Sequence, residues 1–124
     1  MIKFIELKPS YIKSGQITLP GSKSISNRVL LISSISKGKT IIKNLLFSDD
    51  TEVMINALKK LGIDIVENKK KNECVIEGSV NEFPIKNVNL YIGNAGTAIR
   101  PLTAALSFNN GHYKFIAITS KHSK

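Results

Sequence analysis

The chain of 124 residues is long enough for one ordinary domain or for part of a larger protein. Its composition, 42% hydrophobic and 22% charged, is typical of a globular protein and excludes an intrinsically disordered chain. Lys and Arg outnumber Asp and Glu by 18 to 9, and this surplus leaves nucleic acid, a membrane surface or an acidic small molecule open as partners.

The first part of the chain, residues 1–19, is predicted to be extended. Ile2, Phe4 and Ile5 form an apolar cluster, a turn is predicted at residues 13–15, and a second extended run follows at residues 16–19.

A turn and a helix start follow at residues 19–28, Leu-Pro-Gly-Ser-Lys-Ser-Ile-Ser-Asn-Arg. Gly21 permits backbone conformations that other residues avoid, and Ser22 or Ser24 can cap the helix. The free N–H groups and the positive dipole end of a helix N-terminus favour an anion. We therefore predict a site for phosphate or carboxylate at this turn.

Basic side chains strengthen this prediction. Lys23 and Arg28 add full charges, and Arg28 lies four residues after Ser24, on the same helix face. Arg28 and Arg100 are the only arginines in a chain otherwise rich in lysine, isoleucine and asparagine, a composition expected of A/T-rich coding sequence. The arginine fork binds phosphate or carboxylate in a two-pronged way that lysine cannot reproduce, although chance placement is the alternative.

The helix after the turn is predicted over residues 24–37, with Gly38 as its C-cap. Its apolar stripe is predicted to consist of Ile25, Val29, Ile32 and Ile35, widened by Leu30 and Leu31. A strand rich in isoleucine is predicted to follow at residues 40–46.

A second helix is predicted to begin at residues 48–52, where Asp49 and Glu52 are spaced as in a capping box. Capping is a commoner role for such carboxylates than acid–base chemistry. Gly62 is predicted to end this helix, and the buried stripe is Met54, Ala57, Leu58 and Leu61.

The remaining strands are predicted at residues 63–67, 73–77, 88–92 and 113–119, and residues 120–124 are predicted to be loose. The first two of these strands form a hairpin around a lysine-rich turn, which we interpret as solvated rather than as a nucleic-acid contact. Basic residues interleaved with aromatic ones, typical of nucleic-acid binding, are absent from the sequence.

A second glycine-bearing turn lies at residues 93–101, Gly-Asn-Ala-Gly-Thr-Ala-Ile-Arg-Pro, and opens a helix with Pro101 predicted in its first turn. Gly93 precedes Arg100 by seven positions, as Gly21 precedes Arg28. We interpret this as a weak internal repeat of a strand–turn–helix unit. The repeat predicts that the two turns face one cleft.

Neither turn fits a nucleotide-binding pattern. A P-loop requires a second glycine before Gly-Lys-Ser/Thr, and a dinucleotide fingerprint requires three glycines at fixed spacing. A small substrate bearing phosphate or carboxylate therefore remains the prediction. His112 and His122 have no partner at metal-ligand spacing, so no metal site is expected.

Cys74 is the only cysteine, which excludes an internal disulfide and favours a reducing compartment. Its neighbours predict a buried strand residue rather than a nucleophile. No apolar run approaches the length of a membrane span, so we expect no membrane partner and a cytoplasmic location.

Three motifs together resemble the N-terminal part of the 5-enolpyruvylshikimate-3-phosphate synthase family: residues 19–28, residues 46–51 (Leu-Phe-Ser-Asp-Asp-Thr) and residues 93–101. The sister family that transfers enolpyruvyl to UDP-N-acetylglucosamine is similar in architecture but lacks the Ser-Lys-Ser-x-Ser-Asn-Arg run. It is a distant alternative.

The resemblance implies transfer of the carboxyvinyl group of phosphoenolpyruvate to the 5-hydroxyl of shikimate 3-phosphate, in aromatic amino acid biosynthesis, with no metal or organic cofactor. It implies that Lys23, Ser24 and Arg28 hold shikimate 3-phosphate. It further implies that Lys23, Gly96 and Asn94 border phosphoenolpyruvate. Thr97, Arg100 and Asp49 are implied as supporting residues.

The resemblance also implies an α/β (α+β) class: an incomplete enolpyruvyl-transferase fold of repeated βαβαββ-type units, with helices backing a mixed sheet. Residues 1–19 would be a strand segment of the other domain, residues 20–119 a partial substrate-binding domain, and residues 120–124 a loose tail.

Family members are much longer, and their later acid–base carboxylates and lysine are missing here. After Thr119 the family continues with a Gly-x-Pro and arginine-rich segment, whereas this chain has Ser-Lys-His. We therefore expect a truncated chain that is inactive alone, with exposed apolar surface and marginal stability. The alternative is a non-catalytic anion-binding or assembly fragment that a second, complementary chain completes.

Overall fold

Helices and strands alternate along the chain in a computed structural model that describes residues 3–12 and 14–118. The helices are α1 (Lys23–Ile35), α2 (Asp49–Lys60) and α3 (Gly96–Leu106). The strands are β1 (Lys37–Ile42), β2 (Asp64–Asn68), β3 (Glu73–Ser79), β4 (Asn87–Gly93) and β5 (His112–Ala117). The predicted elements from residue 24 onward are confirmed, with shifted ends.

The strands form two sheets. β1, β3 and β2 lie side by side in that order and are antiparallel, with Ile76 of β3 paired to Thr40 on one side and Ile65 on the other. β4 and β5 are parallel and are joined through α3, as a parallel pair requires a crossover. The α/β (α+β) class is confirmed, and the antiparallel and parallel strands of the described residues lie in separate sheets.

Helix α2 forms the centre of the core. Its predicted stripe is confirmed, since Met54, Leu58 and Leu61 are 0% exposed and Ala57 is 2% exposed. α2 packs against α1, α3, β2 and β4. A helix with neighbours on several sides must bury a wide apolar face, and its exposed side carries the charges.

The cap of α2 differs from the prediction. Ser48 is the N-cap, and its backbone N–H donates to Thr51 Oγ1 at 2.8 Å while Thr51 N–H donates to Ser48 Oγ at 3.4 Å. The Asp49–Glu52 capping box is therefore wrong. The helix begins one residue earlier than that pairing requires, so the two carboxylates lie in its first turn.

Helix α1 confirms only part of its predicted stripe. Leu30 and Leu31 are buried and Val29 and Ile35 pack against the core, but Ile25 and Ile32 are each 60% exposed. The other buried residues of α1 are polar: Ser26, Asn27, Ser33 and Ser34. Small side chains are required on this face because Gly78 of β3 lies against the backbone of Ser33 and Ser36. Apolar periodicity alone cannot reveal such a close approach.

The ends of two helices also differ from the predictions. Ser36 caps α1, and Gly38, predicted as the C-cap, lies in β1 with φ +86°. Pro101 lies inside α3, one turn later than predicted. A proline there removes one N–H donor from the helix interior, which the packing of α3 against α1 and α2 must offset.

The described residues before α1, 3–12 and 14–19, form no helix or strand. Their apolar side chains are at least 71% exposed: Phe4, Ile5, Leu7, Tyr11, Ile12, Ile17 and Leu19. The expected exposed apolar surface is therefore present. The assignment of residues 1–19 to another domain stays a prediction. Ile2, Lys13 and the predicted loose tail lie outside the described residues.

Cys74 is 0% exposed in β3, which confirms its prediction as a buried strand residue. Burial, with a smaller contribution from Glu67, raises the pKa of the Cys74 thiol to about 11 from an ordinary value of 9.0. A higher pKa lowers the thiolate fraction at pH 8, so we expect alkylation by iodoacetamide to be roughly 100-fold slower in the folded chain than in urea. Mass spectrometry of timed reactions measures this. Equal rates in the two states would contradict it.

Candidate anion-binding site

A cleft of about 480 Å³ lies where the N-termini of all three helices meet. Its lining residues are Lys23, Ser24, Arg28, Asp50, Asn94, Gly96, Thr97, Arg100 and Pro101. The two glycine-bearing turns therefore do face one cleft, as the internal repeat predicts.

The first wall of the cleft is the start of α1. Ser22 is the N-cap, and its Oγ accepts from the N–H of Ile25 at 3.4 Å. Ser26 Oγ accepts from the N–H of Leu46 at 3.1 Å and ties α1 to the chain after β1. These two hydrogen bonds fix the helix start that carries Lys23 and Ser24.

Gly21, just before this helix, is required for a reason that the sequence did not reveal. Its φ angle lies outside the left-handed region, so conformational freedom does not explain it. A Cβ atom at Gly21 would lie 2.8 Å from Leu46 N and would overlap Asn44 O. Close approach of two backbone segments therefore requires glycine here.

The second wall is the turn between β4 and α3. Gly93 adopts φ +59° where the strand ends, and α3 begins at Gly96 without a side-chain cap at Ala95. Asn94 and Gly96 are exposed in the cleft. N–H groups at the start of an uncapped helix are suited to an anionic partner.

Helix α2 contributes one carboxylate. Asp50 Oδ2 lies 2.9 Å from Lys23 Nζ, in an ion pair whose side chains are 27% and 48% exposed respectively. Asp49, the predicted supporting residue, does not line this cleft and instead borders a separate cavity beside Tyr91. Adjacent helix residues point about 100° apart, so only one of the two carboxylates can face Lys23.

The cleft is electropositive. It contains three cationic side chains, Lys23, Arg28 and Arg100, against the single carboxylate of Asp50. Both arginines of a lysine-rich chain line it, which argues against their chance placement. A larger cavity of about 840 Å³ lies along β4 and β5, but it contains no arginine and no helix N-terminus.

One hydrogen bond joins the two walls. Asn27 Nδ2 donates to Thr97 Oγ1 at 2.8 Å, across seventy residues of sequence. Sequence analysis did not single out Asn27, because a polar residue within a helix gives no signal of its partner.

A match to a known family covers the whole cleft. The sequence model of the EPSP synthase (3-phosphoshikimate 1-carboxyvinyltransferase) family matches residues 8–119, which include every lining residue of the cleft. The chain belongs to the EPSP synthase family. The resemblance inferred from the three motifs is thereby confirmed.

Two relatives named 3-phosphoshikimate 1-carboxyvinyltransferase show the extent of the match. The protein from Paraburkholderia phytofirmans is 47% identical over 123 residues, 99% of this chain and 28% of the relative. That from Burkholderia cenocepacia is 47% identical over 121 residues, 98% of this chain and 27% of the relative. The chain therefore spans just over a quarter of the length of these EPSP synthase relatives.

Solved EPSP synthase structures share the fold. A structure from Acinetobacter baumannii superposes with a TM-score of 0.67 at 29% identity, covering 82% of this chain and 23% of that one. A second structure from the same organism superposes with a TM-score of 0.65 at 32% identity, covering 75% of this chain and 21% of that one. No helix in residues 3–12 and 14–118 is both long and apolar enough to span a membrane.

Proposed function

We propose that the cleft is part of the site at which the carboxyvinyl group of phosphoenolpyruvate is transferred to the 5-hydroxyl of shikimate 3-phosphate. The observation that carries this proposal is the convergence of three helix N-termini, both arginines and Lys23 on one cleft. The reaction belongs to aromatic amino acid biosynthesis, and we place it in the cytoplasm.

The two walls suit the two substrates. Arg28, Ser24 and Lys23 on α1 would hold shikimate 3-phosphate, because a guanidinium and a helix N-terminus both favour a phosphate group. Lys23, Asn94 and Gly96 would border phosphoenolpyruvate, with Thr97 and Arg100 in support. Asp50 takes the place that Asp49 was expected to fill, because Asp50 pairs with Lys23.

The reaction forms a C–O bond between the 5-hydroxyl oxygen and C2 of phosphoenolpyruvate, and the C2–O bond to phosphate breaks as phosphate leaves. The hydroxyl proton must pass to a base. The cations and N–H groups of the cleft lower the repulsion between two anionic substrates and stabilise charge that develops during transfer. Among residues 3–12 and 14–118, Asp50 is the one carboxylate that lines the cleft, and it is paired with Lys23, so these residues form a binding half-site.

Calorimetric titration of the chain with shikimate 3-phosphate tests the proposal. We expect saturable one-to-one binding that weakens as salt rises, because the contacts are ionic. With both substrates present, we expect no release of inorganic phosphate. Absence of binding would overturn the substrate assignment, and sustained phosphate release would overturn the half-site assignment.

A second candidate is an assembly role, in which another chain supplies the rest of the site. The observation in its favour is that Asp50, the carboxylate among the described residues of the cleft lining, is already paired with Lys23, so the base for the reaction must come from elsewhere. Phosphate release that appears only when a chain carrying the remaining length is added would support it. The sister family that uses UDP-N-acetylglucosamine is not favoured, because the matching family model is that of EPSP synthase.

Gly96 provides a test of the phosphoenolpyruvate wall. A Cβ at this position meets no atom within 4 Å, so Gly96→Ala should fold normally while its methyl group occupies space at the cleft. We expect phosphoenolpyruvate affinity to fall about 10-fold, with the melting temperature unchanged or raised because Ala is the better helix former. Calorimetry in the presence of shikimate 3-phosphate measures the affinity.

Gly15→Ala is the matched control, because its Cβ also meets nothing within 4 Å and Gly15 lies outside the cleft. We expect this variant to bind both substrates like the unmodified chain. Equal phosphoenolpyruvate affinity for Gly96→Ala would count against the assignment of this wall.

A further inference from the structure

The side chain of Asn27 is buried with an unpaired polar atom, which lowers the stability of the fold. Its side chain is 0% exposed, and Nδ2 donates to Thr97 Oγ1 at 2.8 Å. Its Oδ1 is also buried and has no hydrogen-bond partner among residues 3–12 and 14–118. An unpaired buried carbonyl is unfavourable, whereas a leucine of similar size would bury apolar surface and remove that carbonyl. Thr97 Oγ1 would lose its donor, but Thr97 is only half-buried and lines the cleft, where water can replace the bond.

Asn27 occupies the point where the two walls of the cleft meet. It lies one helical turn after Lys23 and directly before Arg28, and its partner Thr97 directly follows Gly96. The bond therefore joins the α1 wall to the first turn of α3, beside residues from both substrate sets.

The two helices are otherwise held by non-directional contacts. α1 and α3 pack together, and within the part of the chain that the structure describes, the Asn27–Thr97 bond is the one side-chain hydrogen bond between them. Apolar packing tolerates small rotations and translations of a helix. A buried hydrogen bond at a defined point restricts such movements and specifies one arrangement.

We propose that Asn27 is a positioning residue, which holds α1 and α3 in the arrangement where Arg28 and Arg100 converge on one anion-binding cleft. The inference rests on the proposed function of this cleft. Asn27 itself does not line the cleft, so it acts through Thr97 and through its neighbours in α1.

Asn27→Leu separates positioning from stability. We expect its melting temperature to be unchanged or higher, because the variant removes the unpaired carbonyl. We expect its affinity for shikimate 3-phosphate to fall about 10-fold, because residues that share a contact couple by amounts of this order. A lower melting temperature with unchanged affinity would overturn the inference.

Thr97 provides the second half of the test. Thr97→Val removes the acceptor and should give a similar loss of affinity, whereas Thr97→Ser keeps the hydroxyl and should lose clearly less affinity than Thr97→Val. The double variant, Asn27→Leu with Thr97→Val, should bind no more weakly than either single variant, because the one bond is already lost. Fully additive losses would overturn the inference.

Ser34→Ala is the matched control. Ser34 is buried in the same helix, but its Oγ donates to Leu31 O within α1. We expect this variant to change stability without changing affinity. An equal loss of affinity in Ser34→Ala would show that any buried polar change in α1 has this effect, and would overturn the inference.

Amide hydrogen exchange gives a measurement that needs no ligand. The N–H groups of Ala98 and Ile99 both donate to Ala95 O in the first turn of α3. In Asn27→Leu we expect their exchange to be at least about fivefold faster, while amides in the centre of α2 are unchanged. Unchanged exchange at Ala98 and Ile99 would overturn the inference, whether or not the chain binds shikimate 3-phosphate. Failure of the unmodified chain to bind shikimate 3-phosphate would overturn the proposed function alone.

Discussion

Replacement of Arg28 by alanine is expected to weaken binding of shikimate 3-phosphate by roughly 10- to 150-fold, the loss that follows from removing a hydrogen bond to a charged group. Arg28 is exposed on α1 and lines the cleft beside Ser24 and Arg100. Because its side chain is exposed, the substitution should leave the free energy of unfolding nearly unchanged. Calorimetric titration and thermal unfolding measure the two quantities separately.

Arg28→Lys tests whether geometry matters beyond charge. Lysine retains the positive charge but lacks the planar fork that makes two parallel bonds to phosphate. We expect an affinity between those of the unmodified chain and Arg28→Ala, with the salt dependence retained. Full affinity in the lysine variant would contradict the two-pronged contact.

Lys70→Ala is the charge-matched control for Arg28→Ala. Lys70 is exposed in the turn between β2 and β3 and does not line the cleft. Loss of an exposed charge outside the cleft lining should change the affinity by less than about twofold, because exposed charges are screened by salt. If Lys70→Ala weakened binding as much as Arg28→Ala, general attraction by the basic surface would explain the binding better than a local site.

Gly21→Ala is expected to reduce both stability and binding. The added Cβ would lie 2.8 Å from Leu46 N and would overlap Asn44 O, and both contacts are with backbone, which cannot rotate away. Overpacking of this kind costs about 1–3 kcal/mol in the free energy of unfolding. The start of α1 must also shift, which moves Lys23 and Ser24 out of their places in the cleft. The molecules that remain folded should therefore bind shikimate 3-phosphate more weakly.

Urea unfolding followed by circular dichroism measures the first effect, and titration below the transition measures the second. Gly15→Ala is again the matched control, because the same substitution meets open space there and should shift the free energy of unfolding by less than about 0.5 kcal/mol. If Gly21→Ala had the same free energy of unfolding as the unmodified chain, that result would contradict the close approach of the two backbone segments.

Helix α2 and the hairpin of β2 and β3 could be predicted well from the sequence. The apolar residues of α2 recur at helical spacing and all face the core, so periodicity alone identified the buried side. The hairpin has polar turn residues between two short apolar runs. In both cases the information is local, within a few residues of chain.

Helix α1 could not be predicted to the same level. Its exposed isoleucines, Ile25 and Ile32, fit a helical stripe as well as its buried leucines do. The buried face is chosen by the approach of Gly78, more than forty residues away in sequence. Where backbone segments come this close, the size of a side chain outweighs its hydrophobicity.

The sequence by itself predicted an anion site at two glycine-bearing helix starts, each followed by an arginine, and identified the family to which the chain belongs. These are properties of short motifs, whose N–H groups and charges act within one or two helical turns. Only the tertiary structure decided that Asp50 rather than Asp49 faces Lys23, that Gly21 is needed for space, and that Asn27 joins the two walls through Thr97. Each of these depends on the rotation and separation of elements far apart in the chain, which packing sets and local residue patterns do not encode.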